Sequence, residues 1–469
     1  VAGAAIVLAT GGLILARSSD AAPSHLQVPV VDTTPTKLGL TMNGSNAVSF
    51  SGPGAHGQVA LSQANVLAGA RAPLFAEVRL AADTSDGTKE RAPLALVVVL
   101  DTSGSMDGEK IGRAKDAVLA LMQDMRDDDE IAFVRYASDA ELVQPLARMG
   151  KVRSPLAARV RELEAGGGTN IPSGLSMGLG ALADAESGRV RRVVLVSDGL
   201  DSTRAQAERL ASDSAERGVT VSSMGIGLDF DEAYLGALAR DGHGNFGFVN
   251  DGAALTAFLH RELDEASATT VENATVRLTL PAGVRFVKAS GADARLDGSS
   301  LVLKMGSLFA GDERRAIVQL TAELDRNDAR QLATEARWHR VGGSDADIQA
   351  GNITLVATND RAAVEKGTDA TVVAEATSVI SSERELEAAQ AYASGDQDTA
   401  NRLIQSNIAA LRSAAAAAPA PVAKDLAQQW TAYGSQLQQF QAAPASDRGK
   451  HAAKAAAAAE SSNLARKAY

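Results

Sequence analysis

The stretch VVVLDTSGSM, Val97 to Met106, decides the fold. A run of β-branched and aliphatic residues ends abruptly in Asp101, and Ser103 and Ser105 follow at alternate positions. A short, continuous apolar run reads as a strand buried on both faces, as in a parallel sheet covered by helices. Such sheets present their ligand sites at the carboxyl ends of the strands. Three small oxygen donors therefore fall where an α/β protein places its chemistry.

Downstream, strand and helix patterns alternate. Lys110 to Met125 carries Ile111, Ala114, Val118 and Met122 at helical spacing. Asp129 to Tyr136 reads as a strand, Glu141 to Leu146 as an edge strand, and Ser154 to Leu163 as a helix. The loop GGGTNIPSG, Gly166 to Gly174, leads into a helix over Leu175 to Ala185. Arg191 to Ser197 is a further buried strand, ending in Asp198-Gly199. Helix, strand, helix, strand and closing helix follow up to Glu265. This alternation predicts a doubly wound, mostly parallel sheet.

After Ser267 the hydrophobic period changes to two, with turn signals at Pro281-Ala-Gly, Leu296-Asp-Gly and Val341-Gly-Gly. An antiparallel β-sandwich is expected there. Pro73 to Ala82 alternates in the same way and has no place in the α/β order, so it is expected to join the sandwich. The α/β domain is then inserted into, or followed by, the sandwich. Helical patterns return over Arg361 to Ser413 and Lys424 to Ala443, and an alanine-rich tail is expected to be frayed or disordered. The expected division is 1–17 signal or membrane anchor, 18–72 linker or arm, 73–91 sandwich strand, 92–266 α/β domain, 267–360 sandwich, 361–413 helical hairpin, and 414–469 linker, amphipathic helix and tail.

Val1 to Ala16 is almost wholly apolar but shorter than the ~20 residues a membrane span needs. A truncated signal peptide and a truncated N-terminal anchor both fit, the first residue not being methionine. A buried core helix is disfavoured by Gly3, Gly11 and Gly12, and the reading leans to an anchor. At 469 residues the chain exceeds one core. The net charge of −11 argues against a nucleic-acid partner. The absence of cysteine removes disulfides, thiolate catalysis and thiolate zinc sites.

Asp101, Ser103 and Ser105 gain meaning from two further segments. Thr169 lies in the glycine-rich loop and Asp198 at the end of the next buried strand, so a parallel sheet brings all five residues to one rim. They offer three hydroxyls and two carboxylates, with no histidine or thiol. Oxygen donors of this kind suit Mg²⁺, with Mn²⁺ or Ca²⁺ as alternatives, rather than zinc. Asp127-Asp128-Asp129 is better read as a solvated loop, and Asp229 and Asp231 as the cap and first turn of a helix. No P-loop, dinucleotide fingerprint, H-E-x-x-H or nucleophile elbow is present.

The pattern resembles the von Willebrand factor type A (VWA) family, whose metal-ion-dependent adhesion site (MIDAS) is written D-x-S-x-S, then T, then D. The resemblance covers roughly Ala92 to Glu265, with every motif position present in order. It implies that Ser103 and Ser105 would bind the metal directly, Asp101 and Asp198 mostly through water, and Thr169 in either way. By the same resemblance, a carboxylate from a protein partner would complete the coordination shell. The layout looks similar to bacterial envelope VWA proteins. The expected function is therefore non-enzymatic: metal-dependent adhesion or scaffolding, membrane-anchored and facing the periplasm or exterior, or else secreted. The alternative is a subunit that couples a separate AAA+ ATPase to a client protein.

Overall fold

The computed structural model describes residues 46–84, 92–199, 201, 203–249 and 252–465. The segment 1–17, expected as a signal or anchor, lies outside them. Strands β1 (Ala47–Gly52), β2 (Ala55–Leu61), β3 (Asn65–Leu67) and β4 (Ala72–Ala82) come first. The stretch 46–72 was expected to belong to a loose arm, and this is corrected: it forms sandwich strands. Its Gly, Ser and Pro content conceals an alternation that buries Phe50, Val59, Leu61 and Val66. Trp338 fastens it from the opposite sheet, its Nε1 donating to Pro53 O at 2.9 Å.

The α/β domain follows, comprising β5 (Leu94–Asp101), α1 (Glu109–Asp124), β6 (Glu130–Tyr136), β7 (Ala140–Arg148), α2 (Met149–Arg161), α3 (Ile171–Ala181), β8 (Val190–Ser197), α4 (Arg204–Glu216), β9 (Val219–Ile226), α5 (Glu232–Asp241), β10 (His243–Val249) and α6 (Gly252–Ser267). All eight residues of β5 are buried, as a two-sided apolar run requires. The sheet order is β10-β9-β8-β5-β6-β7, parallel throughout except for the antiparallel edge pair β6–β7. The chain order reverses on either side of β5. That is the switch point where an α/β sheet opens a crevice for ligands. One face packs on α1, α2 and α6, and the other on α3, α4 and α5.

The sandwich resumes with β11 (Thr269–Thr279), β12 (Val284–Ser290), β13 (Asp293–Asp297), β14 (Ser300–Phe309), β15 (Glu313–Ala322), β16 (Ala329–Arg340) and β17 (Asp345–Thr358). One sheet runs β1-β2-β4-β15-β12 and the other β13-β14-β11-β16-β17-β3. Their inner faces share one apolar core. All pairs are antiparallel except the short β3–β17 pair, which is parallel. The α/β domain is thus an insertion between β4 and β11 of the sandwich.

Helices α7 (Arg361–Lys366), α8 (Ala370–Ala393), α9 (Gln397–Ala415), α10 (Ala420–Gln439) and α11 (Asp447–Ala465) complete the chain. The tail expected to fray is instead helical over 447–465, and this too is corrected. Its small alanines Ala452, Ala453, Ala456 and Ala457 are buried and allow close approach to α8 and to the β10 edge of the α/β sheet. Its lysines Lys450 and Lys454 are ion-paired with Asp229 and Glu232. Among the described residues no helix is long and apolar enough to cross a membrane.

Candidate metal centre

Strand β5 delivers Asp101 to the rim of the sheet, and a single turn of 3₁₀ helix over Gly104–Met106 then turns the chain. The turn is closed by Ser103 N donating to Asp101 Oδ1 at 2.8 Å. The glycine loop is zipped onto it by Gly104 N to Gly167 O at 2.9 Å and Gly166 N to Thr102 O at 2.8 Å. Asn170 caps α3 by accepting from Ser173 N at 3.1 Å, and Asp201 accepts from Ile171 N at 2.7 Å. These contacts hold Thr169 at the mouth of the loop. Gly199 completes the approach, because a Cβ there would come 2.7 Å from Thr169 Oγ1.

The five residues singled out by the sequence converge. Ser103 Oγ and Ser105 Oγ lie 3.1 Å apart, and Ser105 Oγ donates to Asp198 Oδ1 at 2.7 Å. Asp101 and Asp198 are fully buried and Ser103 nearly so, whereas Ser105 is exposed. The arrangement is a buried acidic floor beneath hydroxyls that reach solvent.

Three contributors escaped the sequence reading. Ser197 Oγ donates to Asp101 Oδ2 at 2.8 Å, and Tyr136 OH donates to the same oxygen at 3.3 Å. Asp101 is the register partner of Tyr136 in β6. The signal was the position of each residue at the end of a strand, but the neighbour relation needed the sheet order. The third is Lys110, which pairs with Asp198 Oδ2.

Burial pushes the Asp101 carboxyl above its ordinary value. Hydrogen bonds from Ser103 and Ser197 pull it down, and the charge of Asp198 adds to the rise. Burial also raises the Tyr136 hydroxyl well above its usual range, with the field of Asp101 contributing. Tyr136 therefore stays a neutral donor.

The donor set fits a hard divalent cation. Among the described residues Asp101 has hydrogen-bond donors but no cationic partner. Two carboxylates that repel each other with the single ammonium of Lys110 beside them leave negative charge that a further cation would offset. The other acidic candidates have structural roles. Asp129 accepts from Arg126 N at 2.8 Å and from Leu94 N at 3.3 Å. Asp127 pairs with Arg153 at 2.9 Å, and Asp231 caps α5 by accepting from Tyr234 N at 2.9 Å.

Residues 95–261 match the model of the von Willebrand factor type A domain. An uncharacterised protein of Synechocystis sp. is 30% identical over 188 residues, covering 39% of this chain and 44% of that protein. The uncharacterised protein YfbK of Escherichia coli is 27% identical over 220 residues, covering 45% and 38%. The chain thus spans less than half the length of these relatives. A solved structure described as von Willebrand factor type A from Catenulispora acidiphila superposes with a TM-score of 0.65 at 21% identity, covering 86% of this chain and 92% of that one. The likeness shows a shared fold over most of the chain, beyond the α/β domain alone.

Proposed function

With residues 95–261 forming a von Willebrand factor type A domain, we propose that this chain is a divalent-metal-dependent protein-binding protein of the bacterial cell envelope. Such domains typically bind protein partners and often carry a divalent metal. The observation that carries the proposal is the convergence of Ser103, Ser105 and Asp198 at the rim, with Asp101 buried beneath them. Ser103, Ser105 and Thr169 would hold the ion with Asp101 and Asp198, Mg²⁺ being the preferred ion and Mn²⁺ or Ca²⁺ alternatives. When bound, the ion supplies a positive charge able to accept an acidic ligand.

This chain's own residues do the rest. Tyr136 and Ser197 orient Asp101 through Oδ2, the side away from Ser103 N. The exposed Ser105 hydroxyl and the half-buried Thr169 leave the rim accessible to an Asp or Glu of a partner protein. No histidine or thiol stands among the site residues, which supports a binding role over an enzymatic one. The apolar run Val1 to Ala16 supports tethering to a membrane with the site facing outward, secretion being the alternative.

Affinity capture on the immobilised full chain, with detergent-solubilised envelope as the source of partners, tests the reading. Partners should be retained in Mg²⁺, released by EDTA, and lost with Asp101→Ala or Ser103→Ala. Retention unchanged in excess EDTA would sink it. Capture of an AAA+ ATPase from the soluble fraction alone would replace it with the coupling-subunit reading.

A further inference from the structure

Lys110 lies in the first turn of α1 and has no place in the donor set. Its Nζ pairs with Oδ2 of Asp198, while Oδ1 of the same carboxylate accepts from Ser105. Asp198 is fully buried, but the lysine side chain is 28% exposed. The stem runs beside the turn after β9. A Cβ on Gly227, where φ is +80°, would lie 3.1 Å from Lys110 Cε and 3.4 Å from Nζ. Farther along that turn stands Asp229, a carboxylate 70% exposed and bonded to Lys450 at 3.0 Å. The Asp229 carboxyl is held below its ordinary value first by Lys450, with the field of Lys110 contributing. Lys110 therefore stands between a buried carboxylate of the candidate centre and an exposed one on the neighbouring loop.

We propose that Lys110 is a tethered counter-ion that competes with the divalent cation for Asp198. In the metal-free protein the ammonium neutralises the buried carboxylate. A divalent ion held by the same carboxylate repels it, and the ammonium withdraws toward the Gly227–Asp229 turn. The inference rests on the metal reading above and assigns Lys110 the role of setting the concentration at which the centre loads. The geometry permits the withdrawal. The side chain is part-exposed, its ammonium sits on a flexible four-carbon stem, and glycine at 227 gives that stem room where it already lies against the turn.

Calorimetric titration of Mn²⁺ into the metal-stripped full chain tests this, comparing wild type with Lys110→Met, Lys110→Arg and Lys115→Met. A unit charge withdrawn to about 6 Å from a divalent ion, with the water-like screening of a part-exposed position, alters affinity by about tenfold. Lys110→Met should therefore bind about tenfold tighter, and Lys110→Arg, which keeps the charge, should stay near wild type. Lys115 donates to Arg161 O at 3.0 Å instead, so its variant should match wild type. In EDTA, Lys110→Met should melt at a lower temperature than wild type, because Asp198 loses its counter-charge. If Lys110→Met does not fold, Lys110→Gln provides the same comparison. Equal or weaker binding by the uncharged variants, with wild type still binding, overturns the counter-ion role alone. Absence of binding by wild type, or binding unchanged in Asp101→Asn, overturns the metal reading and this inference with it.

Discussion

At the rim of the α/β sheet Asp101 and Asp198 are both buried, and in the C-terminal bundle Glu385 and Glu460 are buried too. The rim pair sits under an exposed serine and beside a part-exposed ammonium. The bundle pair is enclosed by α8, α9, α10 and α11. Glu385 accepts from Asn407 Nδ2 at 2.8 Å, and Glu460 accepts from Tyr433 OH at 3.1 Å and Asn463 Nδ2 at 3.1 Å. Burial pushes the Glu385 carboxyl up to about 8, Asn407 opposing the rise and the charge of Glu460 adding to it. Two acids buried together thus have two outcomes. Beside an open rim they would receive an incoming cation under the proposed reading. Sealed among helices, one of them keeps its proton.

The contrast is broken most directly at Asp101. Asp101→Asn keeps the shape of the side chain and removes its charge. Divalent affinity should fall by about 10- to 100-fold, as expected when a group that orients a metal through water is lost. The melting temperature in EDTA should change little, because relief of the repulsion from Asp198 offsets the need for the Ser197 and Tyr136 hydroxyls to turn and accept from the new amide. A large loss of stability with metal affinity intact would make the rim pair structural, like the bundle pair.

Glu385 gives the next effect. Its folded pKa lies above the unfolded value of about 4.5, so between those values the native state binds more protons than the unfolded state. Stability is then fullest below the unfolded value, declines as pH rises toward 8, and levels off above it. The decline should be at most about 5 kcal/mol, the ceiling set by a carboxyl raised from 4.5 to about 8. Denaturant melts at pH 5, 6, 7 and 8 measure it, and Glu385→Gln should flatten the slope. An unaltered slope would show that Glu385 ionises freely in the fold.

The two regions also differed in how readable they were. The rim was legible because its strands are uninterrupted aliphatic runs and the site residues stand at their ends, as Val97 to Asp101 and Val193 to Asp198 do. Tyr136 and Ser197 were not singled out, because their partnership with Asp101 depends on which strands are neighbours. The bundle was harder for a different reason. Helix α8 buries Val372, Ala376 and Val379 but also Ser381, Ser382 and Glu385, so no single apolar stripe marks its inner face. Helix α11 is packed through alanines, which carry too little apolar surface to announce burial. Strands β1 to β3 were hidden by small and polar residues between the buried ones, and β13 by its charged sequence DARLD.

Helix α11 joins the two regions, with Glu460 in the bundle and Lys450 and Lys454 on the loop that follows β9. The lysines differ in burial, so their removal should separate cleanly. Lys454 is 5% exposed, donates to Phe230 O at 2.6 Å and Glu232 Oε2 at 2.7 Å, and stands 4.0 Å over the Phe230 ring. Lys454→Met should cost about 1–3 kcal/mol, because Glu232 and the Phe230 carbonyl lose a charged donor in a site with little water. Lys450 pairs with Asp229 across side chains 40% and 70% exposed, where solvent screens the attraction and holding two long chains costs entropy. Lys450→Ala should therefore cost no more than about 0.5 kcal/mol. Equal losses from the two variants would mean that the outer pair, too, is shielded from water and that α11 grips the loop along its whole contact. A loss confined to Lys454 places the grip at Phe230 and makes the Lys450–Asp229 pair a weak, solvent-screened one.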